Sequence, residues 1–252
     1  MSFLLNSSGL TDPGAHRREN QDALLLRPRQ GVWVVADGMG GHDRGALASR
    51  RVVDSFARTT FAGSLKDRVQ AAQVSIRAAN DQIFSESRTQ GANSIMGSTV
   101  AALVVSGYAY TALWAGDSRV YLFRRCRLRR LTCDHNLAQE LVQAGKLTED
   151  AARRHASASR ITRAVGVRPE VAVDQVCGHL EEEDRLLLCS DGLINAVADI
   201  ELATVLNDCG PEEAAAELMA LALERGARDN VTVMVVAVGA SCPLESTAGP
   251  GF

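Results

Sequence analysis

Four aspartates stand where apolar runs begin or end. Asp37 follows VWVVA, Asp117 follows ALWAG, Asp191 follows LLLCS, and Asp229 precedes NVTVMVVAV. A single aspartate beside a strand is ordinarily a turn residue, because its side chain hydrogen-bonds nearby backbone. Four of them suggest a shared site. Three have a glycine neighbour, in Asp37-Gly38, Gly116-Asp117 and Asp191-Gly192, where the missing Cβ lets backbone approach a ligand. Carboxylates gathered on one rim of a sheet cannot all stay ionised without a counter-charge. Hard divalent cations such as Mg²⁺ and Mn²⁺ supply it, since they prefer carboxylate, carbonyl and water oxygens. Two such ions about 3.5 to 4 Å apart lower the pKa of a bound water and clamp the oxygens of a phosphoryl group. Hydrolysis of a phosphate ester is therefore the chemistry these residues favour.

The elements that must position them are short β-rich runs alternating with helical patterns. Strands are expected over Gly31–Ala36, Thr99–Val105, Tyr108–Ala115, Val120–Phe123, Leu186–Cys189 and Val231–Val238, from their β-branched and apolar content. Helices are expected over Gly45–Thr59, Leu65–Glu86 and Pro211–Arg225, where apolar residues recur at helical spacing. Pro211 suits a first turn, and Gly226 closes the last one in a left-handed conformation. The arginine-rich Arg124–Arg130 reads as a hairpin with arginines outside and Cys126 and Leu128 inside, its far strand running over Leu128–Thr132. In Asp37-Gly-Met-Gly-Gly-His42 the glycines turn the chain tightly, presenting Asp37 and the Gly38 carbonyl to a metal before the helix begins. The segment lacks the GxGxxG spacing of a dinucleotide loop. His42 has two readings, a proton donor in the cleft and a turn residue.

The chain has 252 residues, 46% hydrophobic and 23% charged, with a formal net charge of -3, a globular composition. This near-neutral balance offers no broad basic face for nucleic acid. The six cysteines form no CxxC pair and no zinc-ligand spacing, so they read as buried free thiols of a reducing compartment. The longest apolar stretch, Val231 to Ala240, is about half of what a bilayer needs. A cytoplasmic protein without membrane contact is expected. The segment 241–252 carries two prolines and two glycines and reads as a disordered tail.

An ordered set of segments covers nearly the whole chain: Arg17-Arg-Glu-Asn-Gln-Asp22, Ala36-Asp-Gly-Met-Gly-Gly-His42, Gly97-Ser-Thr99, Gly116-Asp-Ser-Arg119, Asp134-His135, Ile161-Thr-Arg-Ala-Val-Gly166, Ser190-Asp-Gly-Leu193 and Arg228-Asp-Asn-Val-Thr232. Together they resemble the metal-dependent PPM/PP2C protein Ser/Thr phosphatases in their compact bacterial form. The resemblance implies an α+β fold, a central antiparallel β-sandwich flanked by helices on both faces. It also implies one domain over residues 1–240, a flap over 136–160 and a binuclear metal centre at one end of the sandwich.

By the same resemblance, Asp37 bridges the two metals, the Gly38 carbonyl joins one, and Asp191 and Asp229 complete the other. Asp117 joins Asp191 at a weaker third ion. Arg17 holds the substrate phosphate; its alternative is a surface ion pair with Glu19. Asp22 acts on metal-bound water without touching a metal. Gln21 replaces a glutamate of many eukaryotic members, so the second metal leans more on water. Met39 stands where eukaryotic members carry a catalytic histidine, leaving His42 and metal-bound water as rival proton donors. The flap, from Asn136 to Arg160, reads as two short helical pieces around Gly145 and Thr148, with Thr148 as an N-cap. Such loops tune substrate choice.

The implied activity is hydrolysis of phosphoserine and phosphothreonine in proteins by metal-activated water, with two Mg²⁺ or Mn²⁺ ions, a possible third, and no phosphoenzyme. No cysteine sits in a CxxxxxR loop. A monomer opposing a bacterial Hanks-type kinase is expected, in some relatives within circuits controlling type VI secretion. The alternative is a non-catalytic pseudophosphatase that binds phosphoproteins, against which the intact Asp37, Asp191 and Asp229 count.

Overall fold

The computed structural model describes residues 2–40, 44–89, 96–153, 155–157 and 160–242. In chain order these form β1 (Ser2–Asp12), β2 (Asp22–Arg27), β3 (Val32–Gly40), α1 (Arg44–Arg58), α2 (Leu65–Thr89), β4 (Met96–Ser98), β5 (Val100–Ser106), β6 (Ala109–Ala115), β7 (Arg119–Arg124), β8 (Arg127–Arg130), α3 (Leu137–Gln143), α4 (Glu149–Arg153), β9 (Asp174–His179), β10 (Arg185–Cys189), α5 (Asp191–Ala196), α6 (Asp199–Asp208), α7 (Pro211–Glu224) and β11 (Val231–Cys242).

Two sheets lie face to face. One runs β1-β11-β10-β7-β8; the other runs β2-β3-β5-β6-β9, with β4 paired to β3. The pairings are antiparallel. Alternation along each strand builds the layers. On β3, Trp33 and Val35 point between the sheets, where they meet Leu103, Leu186, Leu188 and Met234. Val32, Val34 and Ala36 point outward onto Val52 and Phe56 of α1 and Ile76 and Ile83 of α2. On the other sheet Leu187, Val233 and Val235 meet Leu193, Leu202 and Leu218 of α5, α6 and α7. Strands covered on both faces have no polar side to show, hence the unbroken apolar runs. Each fully buried Leu, Val or Phe contributes roughly 1.5 to 3 kcal/mol. The expected helix–sheet–sheet–helix sandwich is the observed one.

Several local expectations are corrected. β3 does not stop at Ala36: it continues through Asp37 to Gly40, because Gly38, Met39 and Gly40 pair with Ser98, Gly97 and Met96 of β4. The glycine segment is thus extended backbone rather than a tight turn as far as Gly40, and His42 lies outside the described residues. Of the arginine hairpin, Cys126 is not inside but exposed in the turn, at φ 58°. Arg124 is not outside but half-buried against Asp184. The thiols are mixed: Cys189 and Cys209 are buried, whereas Cys126 and Cys177 are exposed. β11 runs to Cys242, two residues into the segment read as a tail; residues 243–252 lie outside the described ones. No helix among the described residues is long and apolar enough to cross a membrane.

Candidate metal centre

The inward-pointing positions of the sandwich turn polar at one end. On β2 and β3, Leu24 and Val35 face the inner core, and the next inward positions are Asp22 and Asp37, which are direct cross-strand partners. Two like charges opposite each other disfavour the pairing. On the facing sheet, Leu188 and Met234 give way to Ser190 and Thr232 by the same alternation. Asp22 is held by these hydroxyls: Ser190 Oγ and Thr232 Oγ1 each donate to its Oδ2 at 2.7 Å. Asp22 therefore bonds one sheet to the other directly behind Asp37.

Asp37 is fixed through its backbone. Its N–H donates to Thr99 Oγ1 at 2.9 Å, and its carbonyl accepts from Thr99 N at 2.8 Å and Ser98 Oγ at 3.1 Å. Thr99 Oγ1 also lies 2.7 Å from Ser118 Oγ, next to Asp117. The glycines beside the aspartates serve packing of chain on chain. A Cβ on Gly38 would collide with the Gly45 carbonyl at the start of α1. Gly116, at φ 116°, would meet the Thr99 side chain. Asp191 opens α5, with Asn195 Nδ2 donating to its Oδ2 at 3.2 Å. Asp229 lies just before β11 and accepts from Arg17 Nη2 at 2.8 Å. The alternative pairing of Arg17 with Glu19 is not formed. Asn230 braces this corner: its Oδ1 accepts from Gln21 N, and its Nδ2 donates to the carbonyls of Pro13 and Glu19.

A cleft of about 490 Å³ is lined by Arg17, Asp37, Gly38, Asp117, Asp191 and Asp229, among others. Asp22 sits behind it. A second cleft, of about 530 Å³, lies between the rim and the 136–160 segment, with Asp117, Asp191, Asn136 and Glu149 in its wall. Of the flap positions, Asn136 faces this cleft and caps α3, accepting from Gln139 N. Gly145 and Arg160 line neither cleft. Thr148 Oγ1 accepts from Ala151 N at 3.2 Å, capping α4.

With protein charges alone, this rim is electrostatically unbalanced. Its enclosed surroundings, then the carboxylates of Asp22, Asp191, Asp117 and Asp229, push Asp37 well above the usual carboxylate range. Burial, opposed by the Thr232 and Ser190 hydroxyls and reinforced by Asp191 and Asp229, pushes Asp22 up to about 7. Burial and then Asp229 push Asp191 to about 6. Asp117 is raised by burial and then by Asp191 and Asp134, against the pull of Arg119. Arg119 is itself engaged, its Nη2 donating to Asp134 Oδ2 at 2.6 Å.

These residues fit a hard divalent cation. The Oδ1 atoms of Asp22, Asp117 and Asp191 are buried with no hydrogen-bond partner, a costly state for a carboxylate oxygen unless a ligand meets it. Among the described residues no three His, Cys, Asp or Glu side chains converge closely enough to hold an ion alone. That suits Mg²⁺-like ions, which take main-chain carbonyl and water oxygens beside one or two carboxylates. Sequence reasoning assigned no role to Ser98, Thr99, Ser190, Asn230 or Thr232. The available signal was a hydroxyl or amide at a strand end where alternation demands an inward apolar residue.

The profile of the family described as Protein phosphatase 2C matches residues 15–240. The Serine/threonine phosphatase stp of Listeria monocytogenes serotype 4b is 33% identical over 234 residues, covering 90% of this chain and 93% of that protein. Among solved structures, PppA, a key regulatory component of T6SS in Pseudomonas aeruginosa, is 37% identical with a TM-score of 0.86, covering 93% of this chain and 97% of that one. The catalytic domain of serine threonine protein phosphatase PstP in complex with 2 manganese ions is 31% identical with a TM-score of 0.85, covering 95% and 100%. With a carboxylate-lined cleft at the end of a helix-flanked sandwich, and a family profile matched over residues 15–240, the chain belongs to the protein phosphatase 2C family.

Proposed function

We propose that the chain dephosphorylates phosphoserine and phosphothreonine in proteins with two divalent cations, Mg²⁺ or Mn²⁺, held by Asp37, the Gly38 carbonyl, Asp191 and Asp229, with Asp117 and Asp191 serving a weaker third ion. The observation that carries this reading is the cleft lined by Asp37, Asp117, Asp191 and Asp229, with Asp22 behind it, where three buried carboxylate oxygens have no hydrogen-bond partner. Cations there neutralise the carboxylates and activate water for attack on phosphorus. Arg17, exposed at the mouth, exchanges Asp229 for the substrate phosphate, which its planar guanidinium grips with two parallel hydrogen bonds. Asp22, tied to both sheets, exchanges protons with the cleft from behind Asp37. His42 donates the proton to the departing seryl or threonyl oxygen.

The 136–160 segment, through Asn136 and Glu149 in the second cleft, reads the sequence around the phosphorylated residue. The likeness to PppA supports a role in threonine-phosphorylation control of T6SS, opposite a Ser/Thr kinase. Free thiols at five described positions support a reducing, cytoplasmic setting, and we place the chain there as a monomer. Phosphate release from a phosphothreonine peptide, measured with Mn²⁺ and after exhaustive chelation, tests the activity. Turnover only with metal is expected; equal rates in both conditions would refute it. His42→Ala should slow the peptide about 10² to 10⁴-fold and p-nitrophenyl phosphate much less. Equal small losses on both would remove His42 as the donor.

A further inference from the structure

His135 lies outside the carboxylate cluster, yet it grips the backbone that aims one member of it. Its main-chain N–H donates to the Gly116 carbonyl at 2.9 Å, and its ring Nδ1 accepts from the Gly116 N–H at 3.1 Å. One residue thus holds both polar groups of Gly116, the residue at φ 116° that immediately precedes Asp117. An Nδ1 that accepts must carry its proton on Nε2, and Nε2 lies 3.1 Å from Asp174 Oδ2. Asp174 is itself held by Arg163 Nη1 at 2.6 Å. The imidazole stacks on the Trp114 indole, with centroids 6.1 Å apart and planes at 12°, and that indole is anchored on the Cys133 carbonyl. Burial lowers the pKa of His135, in keeping with a neutral ring of fixed tautomer. The ends of the 136–160 segment meet at the same point, where Thr162 N donates to the His135 carbonyl and Leu137 N to the Arg160 carbonyl.

We propose that His135, oriented by Asp174, is a positioning residue for Asp117: it locks the Gly116 peptide so that the Asp117 carboxylate faces the cleft. Hydrogen bonds from residues that do not themselves touch the metal commonly fix the geometry of its ligands. The inference rests on the role given to Asp117 above. Two substitutions separate the contacts of the ring. In His135→Asn the amide oxygen falls near the place of Nδ1 and still accepts from Gly116; in His135→Gln the amide reaches toward Asp174 and leaves the Gly116 N–H without its acceptor.

On a phosphothreonine peptide with saturating Mn²⁺, His135→Gln should lower kcat about tenfold with KM within about twofold, and His135→Asn should recover most of the loss. Calorimetric Mn²⁺ titration of His135→Gln should show its weakest binding step weakened further. On an Asp117→Ala background His135→Gln should cost nothing more, since coupled residues are non-additive. Should His135→Gln not fold, Asp174→Ala, a change at a half-exposed position, should give a smaller loss of kcat that likewise vanishes on the Asp117→Ala background. A loss that persists undiminished on that background, or Asn and Gln variants that behave alike, would overturn the proposal. Wild-type turnover in His135→Gln beside an impaired Asp117→Ala would fail this inference alone. Wild-type turnover in Asp117→Ala would fail the role of Asp117 and this inference with it.

Discussion

Asp184, in the turn before β10, is enclosed, with a side chain 0% exposed. Its oxygens are fully occupied: Arg124 Nε donates to Oδ1 at 2.7 Å, while Arg124 Nη2 and Glu181 N donate to Oδ2 at 2.6 and 2.7 Å. At the other end of the sandwich Asp22 and Asp117 are buried and Asp37 and Asp191 half-buried, and there three carboxylate oxygens are buried without a partner while the neighbours are more carboxylates. Both regions withdraw carboxylate charge from water, which is costly unless something compensates it. The first brings its counter-charge in the same chain and so reinforces the fold. The second is left unbalanced by the protein, so its charge is available to bind something from solution. Burial alone therefore does not distinguish a structural aspartate from a functional one; the provenance of its counter-charge does.

The largest effect that can break this contrast is on turnover. Asp37→Asn should lower kcat on a phosphothreonine peptide by about 10² to 10³-fold, of the order lost when one preorganised electrostatic group is removed from a reacting centre, while the melting temperature in EDTA stays level or rises. A variant that is inactive because it melts early would place Asp37 in the structural class. Asp184→Ala should do the reverse, losing about 3 kcal/mol of stability in urea unfolding with kcat per folded molecule within about twofold of wild type.

Arg17 sharpens the comparison, since its pair with Asp229 is open to solvent, with side chains 56% and 42% exposed. Arg17→Ala should change stability by less than about 0.5 kcal/mol yet cost about 2 to 3 kcal/mol in kcat/KM, chiefly through KM. An unchanged KM for the peptide would refute phosphate binding.

The smallest effect is on stability against pH. Asp22 and Asp191 have folded pKa values of about 7 and about 6, above those of the unfolded chain. Their contribution is present at low pH and is lost as pH rises through 6 to 7, because the fold binds protons that the unfolded chain has released. EDTA-treated protein should lose on the order of 4 kcal/mol between pH 5 and 8, and saturating Mn²⁺ should flatten the decline. A metal-free stability that rises over this range would contradict the charge imbalance.

The inner strands were legible because both of their faces are covered, which leaves VWVVA, TVAALVV and VTVMVVAV apolar except for Thr99 and Thr232 at their cleft ends. Helix α7 was legible through Pro211 and Gly226, whose backbone preferences mark its ends. By contrast β1, SFLLNSSGLTD, carries little apolar signal and is a strand because β11 offers it a ten-pair ladder. β9, DQVCGH, alternates half-buried and exposed positions at a sheet edge. β4 has three residues, too few for a period to register. At the site, the aspartates announced themselves as charges interrupting apolar runs. Ser190, Thr232 and Asn230 did not, since hydroxyls and amides at strand ends are ordinary until the facing sheet is known. The 6-residue α5, which presents Asp191, is likewise shorter than the helical period can resolve.

The pairing of β1 with β11 has a practical consequence. Asp12 lies opposite Val231 at the cleft end, whereas Ser2 lies opposite Cys242, and ten residues of strand separate the two ends by roughly 33 Å. A fluorophore, affinity tag or surface tether joined at the Ser2 and Cys242 end therefore leaves the mouth of the cleft unobstructed. Immobilised there, a turnover-deficient variant presents its carboxylates outward to a phosphopeptide library, which is the orientation needed to fish for substrates.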